Sequence, residues 1–310
     1  MENNILLSIL IPSYNTEKHV KKCLESILEQ NLKNCEILIF DDESTDKTVD
    51  VIEEIIKENK KDNKKNINIK LAKINHCGLS SVRNKLIKEA KGKYLLFVDS
   101  DDYAEKDLID TLKDTIEKDD YDLIRFKAKV HNDTSYKSKE RFNSKVFGIL
   151  SMKDAIINWS NKDEEWAVTW LYCHKKDVII KNNIIFDEGK IHEDFGTVPK
   201  IILNAKKIYS VDYVGYNYVK RNNSIIENHE EEYEWKKSID YLYQYDSIIE
   251  YLKEIKIDKS DKELYDLFVS DLKKRMPEKL RFLNTEKYKN MYIKELEKRE
   301  IEIKGSYSFS

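Results

Sequence analysis

Glycine and proline are scarce, seven and three among 310 residues, which argues against a turn-dominated architecture and for a high helix content. The four cysteines, Cys23, Cys35, Cys77 and Cys173, form no C-x-x-C pair, and the N-terminus carries no basic segment followed by a long apolar stretch. A reduced, cytoplasmic protein is expected. Long hydrophobic runs are also missing: "ILLSILI", residues 5 to 11, falls far short of the ~20 apolar residues a bilayer span requires. Nor is there an excess of one charge sign. Lys plus Arg number 55 against 58 Asp plus Glu, a net charge of -3, so no global field favours a polyanion and a nucleic-acid partner is not expected. No internal repeat is evident.

What is present supports a sizeable core. Hydrophobic residues make up 40%, enough for one large domain or two. Residues 5 to 11, 36 to 40, 67 to 74 and 94 to 98 are short runs rich in Ile, Leu, Val and Phe, the pattern of strands buried on both faces. Between them lie helical stripes: Val20, Leu24, Ile27 and Leu28; Val51, Ile52, Ile55 and Ile56; Leu79, Val82, Leu86 and Ala90, stopped at Gly92. The alternation predicts a parallel, doubly wound α/β sheet whose ligands bind beyond the carboxyl ends of the strands. From about residue 120 to 220 strands mix with shorter helices and aromatics become frequent, as in a second lobe. Beyond about residue 229 the pattern is of charged amphipathic helices. The stretch "KENKKDNKKN", residues 57 to 66, reads as a solvated helix end and loop.

Three acidic constellations fall at chemically informative places. "DSDD", Asp99 to Asp102, follows the fourth strand; carboxylates so spaced suit a hard divalent cation that keeps positions open for substrate phosphates, and equally suit an acidic turn. Phosphohydrolases of the haloacid-dehalogenase type also place D-x-D after a strand, but usually the first strand, and with Thr or Val where Asp102 stands here. In "ILIFDDESTDKT", residues 37 to 48, Asp42 is placed at the sheet edge, where it can accept from a ring N–H, with Ser44 and Thr45 as expected helix caps. In "GKIHEDFGTVPK", residues 189 to 200, Glu193 and Asp194 precede a segment where Pro199 is expected in an early helical turn. They can complement a helix dipole, or one of them can serve as a general base once water exclusion and neighbouring charge raise its basicity.

Taken in order, "SILIPSYN", "ILIFDDESTD", "NHCGLSSVRN", "GKYLLFVDSDD", "HEDF" and "YNYVKRNNSI" strongly resemble the family 2 inverting glycosyltransferases of GT-A fold, over residues 5 to 226. The resemblance implies a Rossmann-like nucleotide-binding half plus an acceptor-binding half in residues 1 to 225, with a helical extension over 226 to 310. It implies transfer of a hexose or N-acetylhexosamine from a UDP-sugar to a hydroxyl on a cell-surface glycan, a lipid-linked glycan or a protein. Residue by residue, it implies that Pro12, Tyr14 and Asn15 line the nucleotide pocket and that Asp42 binds the uracil imide N–H. Arg83 is placed near the base and diphosphate, Asp99 near the ribose, and Ser100 and Glu193 in the same nucleotide-sugar pocket. Asp101 becomes the principal protein ligand of Mn²⁺ or Mg²⁺, Asp102 an aid to metal or sugar, and Asp194 the catalytic base. Lys220 and Arg221 both compete for the diphosphate. Trp170 either flanks the acceptor or packs in the core, and His192 supports the site from behind.

The chain departs from the family pattern at Glu43, where "DDGSTD" has glycine; a positive φ there alters the turn. That departure keeps a second reading open, a nucleotide-sugar-binding pseudoenzyme of the same fold. The basic stretch "KKRMPEKLRFLNTEKYKN", residues 273 to 290, either packs on the catalytic domain or makes a weak peripheral contact with the inner face of an anionic membrane.

Overall fold

Seven consecutive buried residues form the central strand β1, Leu7–Ser13, in a computed structural model that describes residues 5–61, 67–132, 142, 145–159, 166–220, 229–255 and 261–303. The first half follows the expected alternation: α1 Val20–Leu28, β2 Cys35–Asp41, α2 Thr48–Lys61, β3 Asn68–Lys73, α3 Leu79–Glu89 and β4 Tyr94–Phe97. The chain then runs through β5 Tyr103–Ala104, α4 Leu108–Lys118, β6 Leu123–Asn132, β7 Gly148–Leu150, α5 Met152–Trp159, β8 Tyr172–Lys175, α6 Lys176–Lys181, α7 Glu193–Asn204 and β9 Ile208–Lys220. Helices α8 Glu231–Glu254, α9 Lys262–Arg275 and α10 Glu286–Lys298 follow.

Among the described residues one mixed sheet runs in the order β3-β2-β1-β4-β8-β6-β9-β5, with β7 also on β9. The four strands of the first half are parallel, whereas β8 lies antiparallel between β4 and β6. Strand order reverses between β1 and β4, which makes the crevice beyond their carboxyl ends the binding position of an open α/β sheet. Pro12 falls just past the last β1–β4 pair, Leu10↔Phe97, so its missing N–H removes no ladder bond on that side. β3 corrects the expectation of a strand buried on both faces. It lies at the edge of the sheet, its residues exposed or half-buried, because among the described residues it pairs with β2 alone, and its exposed lysines, Lys70 and Lys73, meet Glu89 and Glu53 at 2.8 and 2.7 Å.

The turn into β4 lies hard against β1. Gly92 N–H donates to Ser8 Oγ at 2.8 Å, and a Cβ at Gly92 would stand 2.5 Å from the Ser8 nitrogen and 2.8 Å from the Tyr94 carbonyl oxygen, both backbone. Gly92→Ala is therefore expected to destabilise the fold by about 1–3 kcal/mol, read as a lower urea midpoint at unchanged slope.

Helix α8 packs along α7. The absence of a side chain at Gly196 makes room for Gln244, whose Oε1 would lie 1.6 Å from a Cβ there. Pro199 sits inside α7. In the basic stretch 273–290 the apolar residues Met276, Leu280 and Leu283 face inward and are buried. Among the described residues no helix is long and apolar enough to cross a membrane.

Candidate active site

The loops after β1 and β2 are stitched into one surface. Asn15 adopts a left-handed φ of 50°; its N–H donates to Ser44 Oγ at 2.9 Å, and its Oδ1 accepts from the Thr45 N–H at 2.8 Å. Ser44 is itself held by Asp41 through its hydroxyl at 2.6 Å and its N–H at 2.9 Å. With both residues so engaged, the expected capping by Ser44 and Thr45 gives way to Asp46, whose Oδ1 accepts from the Thr48 N–H at 2.9 Å as α2 begins.

Asp42 is buried beside the start of α3, where its two oxygens accept from the N–H groups of Cys77 at 2.8 Å and Gly78 at 2.9 Å. His76 Nδ1 lies 3.0 Å from Asp42 Oδ2, and the exposed Tyr14 ring packs 4.9 Å from the His76 ring. The Asp42 carboxylate thus lies beside two aromatic rings, with the Cys77 thiol also donating to Oδ1 at 3.4 Å. Glu43 holds the turn in the left-handed conformation, φ 63°, at a cost of roughly 1–2 kcal/mol for a residue with a Cβ. Its Oε2 accepts from the His76 N–H at 3.0 Å, a bond a glycine could not make.

The acidic turn has two inward members and one at the rim. Asp102 is buried, with Oδ2 accepting from the Tyr216 hydroxyl at 2.8 Å and Oδ1 from the Val219 N–H at 2.7 Å. Burial, with Asp101 and Asp99 nearby, raises its pKa well above its ordinary value. Asp102 thus braces the turn against β9. The Asp99 N–H donates to the same Tyr216 hydroxyl at 3.0 Å. Ser100 Oγ accepts from Thr16 Oγ1 at 3.1 Å, joining the β4 loop to the β1 loop across the crevice. Asp101 is half-buried.

Arg83 is buried at the centre of this acidic cluster. Only 1% exposed, its guanidinium holds three carboxylates: Nη1 donates to Glu193 Oε1 at 2.6 Å and Asp194 Oδ1 at 2.8 Å, and Nη2 to Asp99 Oδ1 at 3.0 Å. These charges raise its pKa further against the opposing effect of burial. Glu193 is pushed up to about 7 by burial and by Asp194. Asp194 receives two more bonds, from Thr169 Oγ1 to Oδ1 at 2.5 Å and from the Thr169 N–H to Oδ2 at 3.2 Å. No motif in the sequence singles out Thr169, which lies in the short 3₁₀ turn Thr169–Leu171 leading into β8.

The remaining candidates sit around this centre. Trp170 is buried and stacks on Tyr216 at 4.6 Å and Tyr218 at 5.5 Å, both at 12°. His192 precedes α7 with φ 62°, edge-on to Tyr241 at 5.2 Å. Burial, Lys279 and Lys237 lower its pKa to about 3, so the ring is neutral. Lys220 ends β9 at the exposed rim, and Arg221 lies outside the described residues.

A doubly wound sheet with an acidic turn at its switch point, tied by one guanidinium to a half-buried carboxylate pair at the start of α7, is the arrangement of a glycosyltransferase of GT-A fold. The chain belongs to glycosyl transferase family 2, whose family model matches residues 8–173. Among its relatives is the uncharacterized glycosyltransferase YibD of Escherichia coli (strain K12), 28% identical over 266 residues, 84% of this chain and 74% of YibD. The poly(ribitol-phosphate) β-N-acetylglucosaminyltransferase TarS of Staphylococcus aureus (strain MW2) is 29% identical over 220 residues, 69% of this chain and 35% of TarS. The crystal structure of S. aureus TarS 1-349 in complex with UDP-GlcNAc superposes with a TM-score of 0.62 at 20% identity, covering 94% of this chain and 88% of that one. The mannosyltransferase PcManGT of Pyrobaculum calidifontis, in complex with GDP-Man and Mn²⁺, gives 0.61 at 14% identity, covering 95% and 76%.

Proposed function

We propose that this glycosyltransferase moves a hexose or N-acetylhexosamine from a UDP-sugar to a hydroxyl acceptor by single displacement with inversion. The observation that carries the reading is the shared guanidinium: Arg83 holds Asp194 on the acceptor side and Asp99 of the acidic turn on the donor side. One rigid group thus sets the distance between a base and a donor pocket. Residues 1 to 225 serve as the catalytic domain and 226 to 310 as its helical extension.

In this scheme Asp42 accepts the uracil imide N–H beside Tyr14, Pro12 and Asn15 shape the pocket floor, and Asp99 with Ser100 faces the ribose. Lys220 or Arg221 is the proposed partner of the diphosphate. Asp194 takes the proton as the acceptor O–H bond breaks and its oxygen bonds to the anomeric carbon, while UDP departs from the opposite face with the bonding pair. UDP as the nucleotide is supported by the UDP-GlcNAc complex of TarS.

A divalent cation would be held at the acidic turn after β4. Among the described residues no three His, Cys, Asp or Glu side chains could hold a metal by themselves. Asp101, a half-buried carboxylate of the acidic turn, would hold Mn²⁺ or Mg²⁺, as the resemblance implies, the other positions belonging to donor phosphate and water. Bound there, the cation supplies charge neutralisation for the leaving diphosphate. The Mn²⁺ in the PcManGT complex supports metal use. The acceptor is a glycan, lipid-linked or protein hydroxyl, as the resemblance implies.

Melting curves with a panel of nucleotide-sugars, with and without Mn²⁺, test the donor. A UDP-sugar at a hundred times its dissociation constant is expected to stabilise the protein by about 2.7 kcal/mol, with the metal-dependent part lost in Asp101→Asn. Proton NMR of the product is expected to show the inverted anomer. Binding with no turnover over a broad acceptor panel would instead establish a pseudoenzyme.

A further inference from the structure

We infer that Thr169 is a positioning residue for the transfer reaction: it anchors one oxygen of Asp194 and thereby reserves the other, Oδ2, to receive the acceptor's proton. The inference rests on Asp194 being the base. Oδ1 already accepts two short bonds, from Arg83 Nη1 at 2.8 Å and Thr169 Oγ1 at 2.5 Å. Among the described residues Oδ2 accepts only the longer backbone bond from the Thr169 N–H, at 3.2 Å. An oxygen carrying two strong donors has its lone pairs occupied, so the incoming hydroxyl finds its acceptor at Oδ2.

Two donors on one residue, its hydroxyl and its own N–H, reach different oxygens of the same carboxylate. This fixes the rotation of the Asp194 carboxyl group, which a single bond from Arg83 would leave free to turn. Thr169 is itself held from behind. It is fully buried, and its carbonyl lies 3.0 Å from His174 Nε2. A carbonyl only accepts, so Nε2 carries the proton. The His174 ring is locked in the core against Phe97 and Tyr172. Core packing of β8 is in this way transmitted through Thr169 to the carboxylate that faces substrate. Displacement of a catalytic group by about 1 Å can cost on the order of a hundredfold in rate, which is the scale at which a second anchor matters.

Thr169→Val keeps shape and backbone N–H but removes the hydroxyl donor; Thr169→Ser keeps the donor. With UDP-sugar and acceptor in steady state, Thr169→Val is expected to lower kcat roughly 10–100-fold with the donor KM within twofold, and Thr169→Ser to recover most of that loss. Asp194→Asn is measured alongside. If Asp194→Asn is inactive while Thr169→Val turns over within twofold of the wild type, the role of Thr169 is overturned and the base assignment stands. Equal losses in the Val and Ser variants would assign the effect to packing and likewise overturn it. An active Asp194→Asn overturns the base and this inference together. Should Thr169→Val fail to fold, Thr169→Ala, which leaves space rather than a misplaced methyl, carries the same comparison.

Discussion

Asp194→Asn is expected to reduce transfer by roughly 10²–10⁴-fold, the usual contribution of a positioned general base, while donor binding persists. The substitution is nearly isosteric. The amide oxygen can keep the bonds from Arg83 Nη1 and Thr169 Oγ1, which places the new NH₂ against the Thr169 N–H, now 3.2 Å from Oδ2. Two donors facing each other cost some stability, but the Arg83 ion pairs with Glu193 and Asp99 remain. What is removed is the charge and lone pair that would take the acceptor's proton, so the loss belongs in kcat rather than in donor KM. Calorimetric titration of a UDP-sugar and single-turnover transfer on the same preparation separate the two. Transfer within tenfold of the wild type would place the base elsewhere, with Glu193 the next carboxylate on the same guanidinium.

How far these assignments were legible in the sequence depends on whether a residue's partners are near in the chain. β1, β2 and β4 read clearly because a strand covered on both faces is apolar throughout, and α1 to α3 because their stripes face that same core. β3 carries a similar apolar run and was read the same way, since composition does not say which strand ends a sheet. β5 and β7, two and three residues long, are too short to show any period. In the site, Asp42, Asp99, Asp101 and Asp194 stood out because acids at the ends of apolar strands and helix starts are conspicuous. The direction each side chain faces was not legible. Asp102 meets Tyr216 114 positions away, and Arg83 meets Asp194 111 positions away; adjacency of that kind exists only in the fold. Thr169 and His174 left no signal because a lone threonine and a lone histidine in an apolar segment most often serve packing. Glu43 was the converse case: the missing glycine marked a turn, and the positive φ was kept with a side chain bonded to His76.

Arg83→Met is expected to be the most damaging single change to the fold at this site. Breaking a buried ion pair by removing one partner costs about 3–5 kcal/mol, and here one guanidinium serves three carboxylates within 3.0 Å. At roughly 2–4 °C per kcal/mol for a large domain, melting should fall by about 6–20 °C. Lysine is a poor substitute. An ammonium is a point charge, whereas the planar fork reaches Asp99 with Nη2 and Glu193 and Asp194 with Nη1. The sign of the pH dependence is a sharper test than its size. Without the guanidinium the carboxylates are driven to take up protons, which raises their folded-state pKa values. Groups of that kind favour the folded state while protonated and lose the benefit as pH rises through the raised values. Arg83→Met should therefore melt closer to the wild type at pH 5 than at pH 8, by several degrees. A variant that melts within 2 °C of the wild type at pH 8 would mean that Asp99, Glu193 and Asp194 find other partners, and that the donor and acceptor sides of the site are not tied through Arg83.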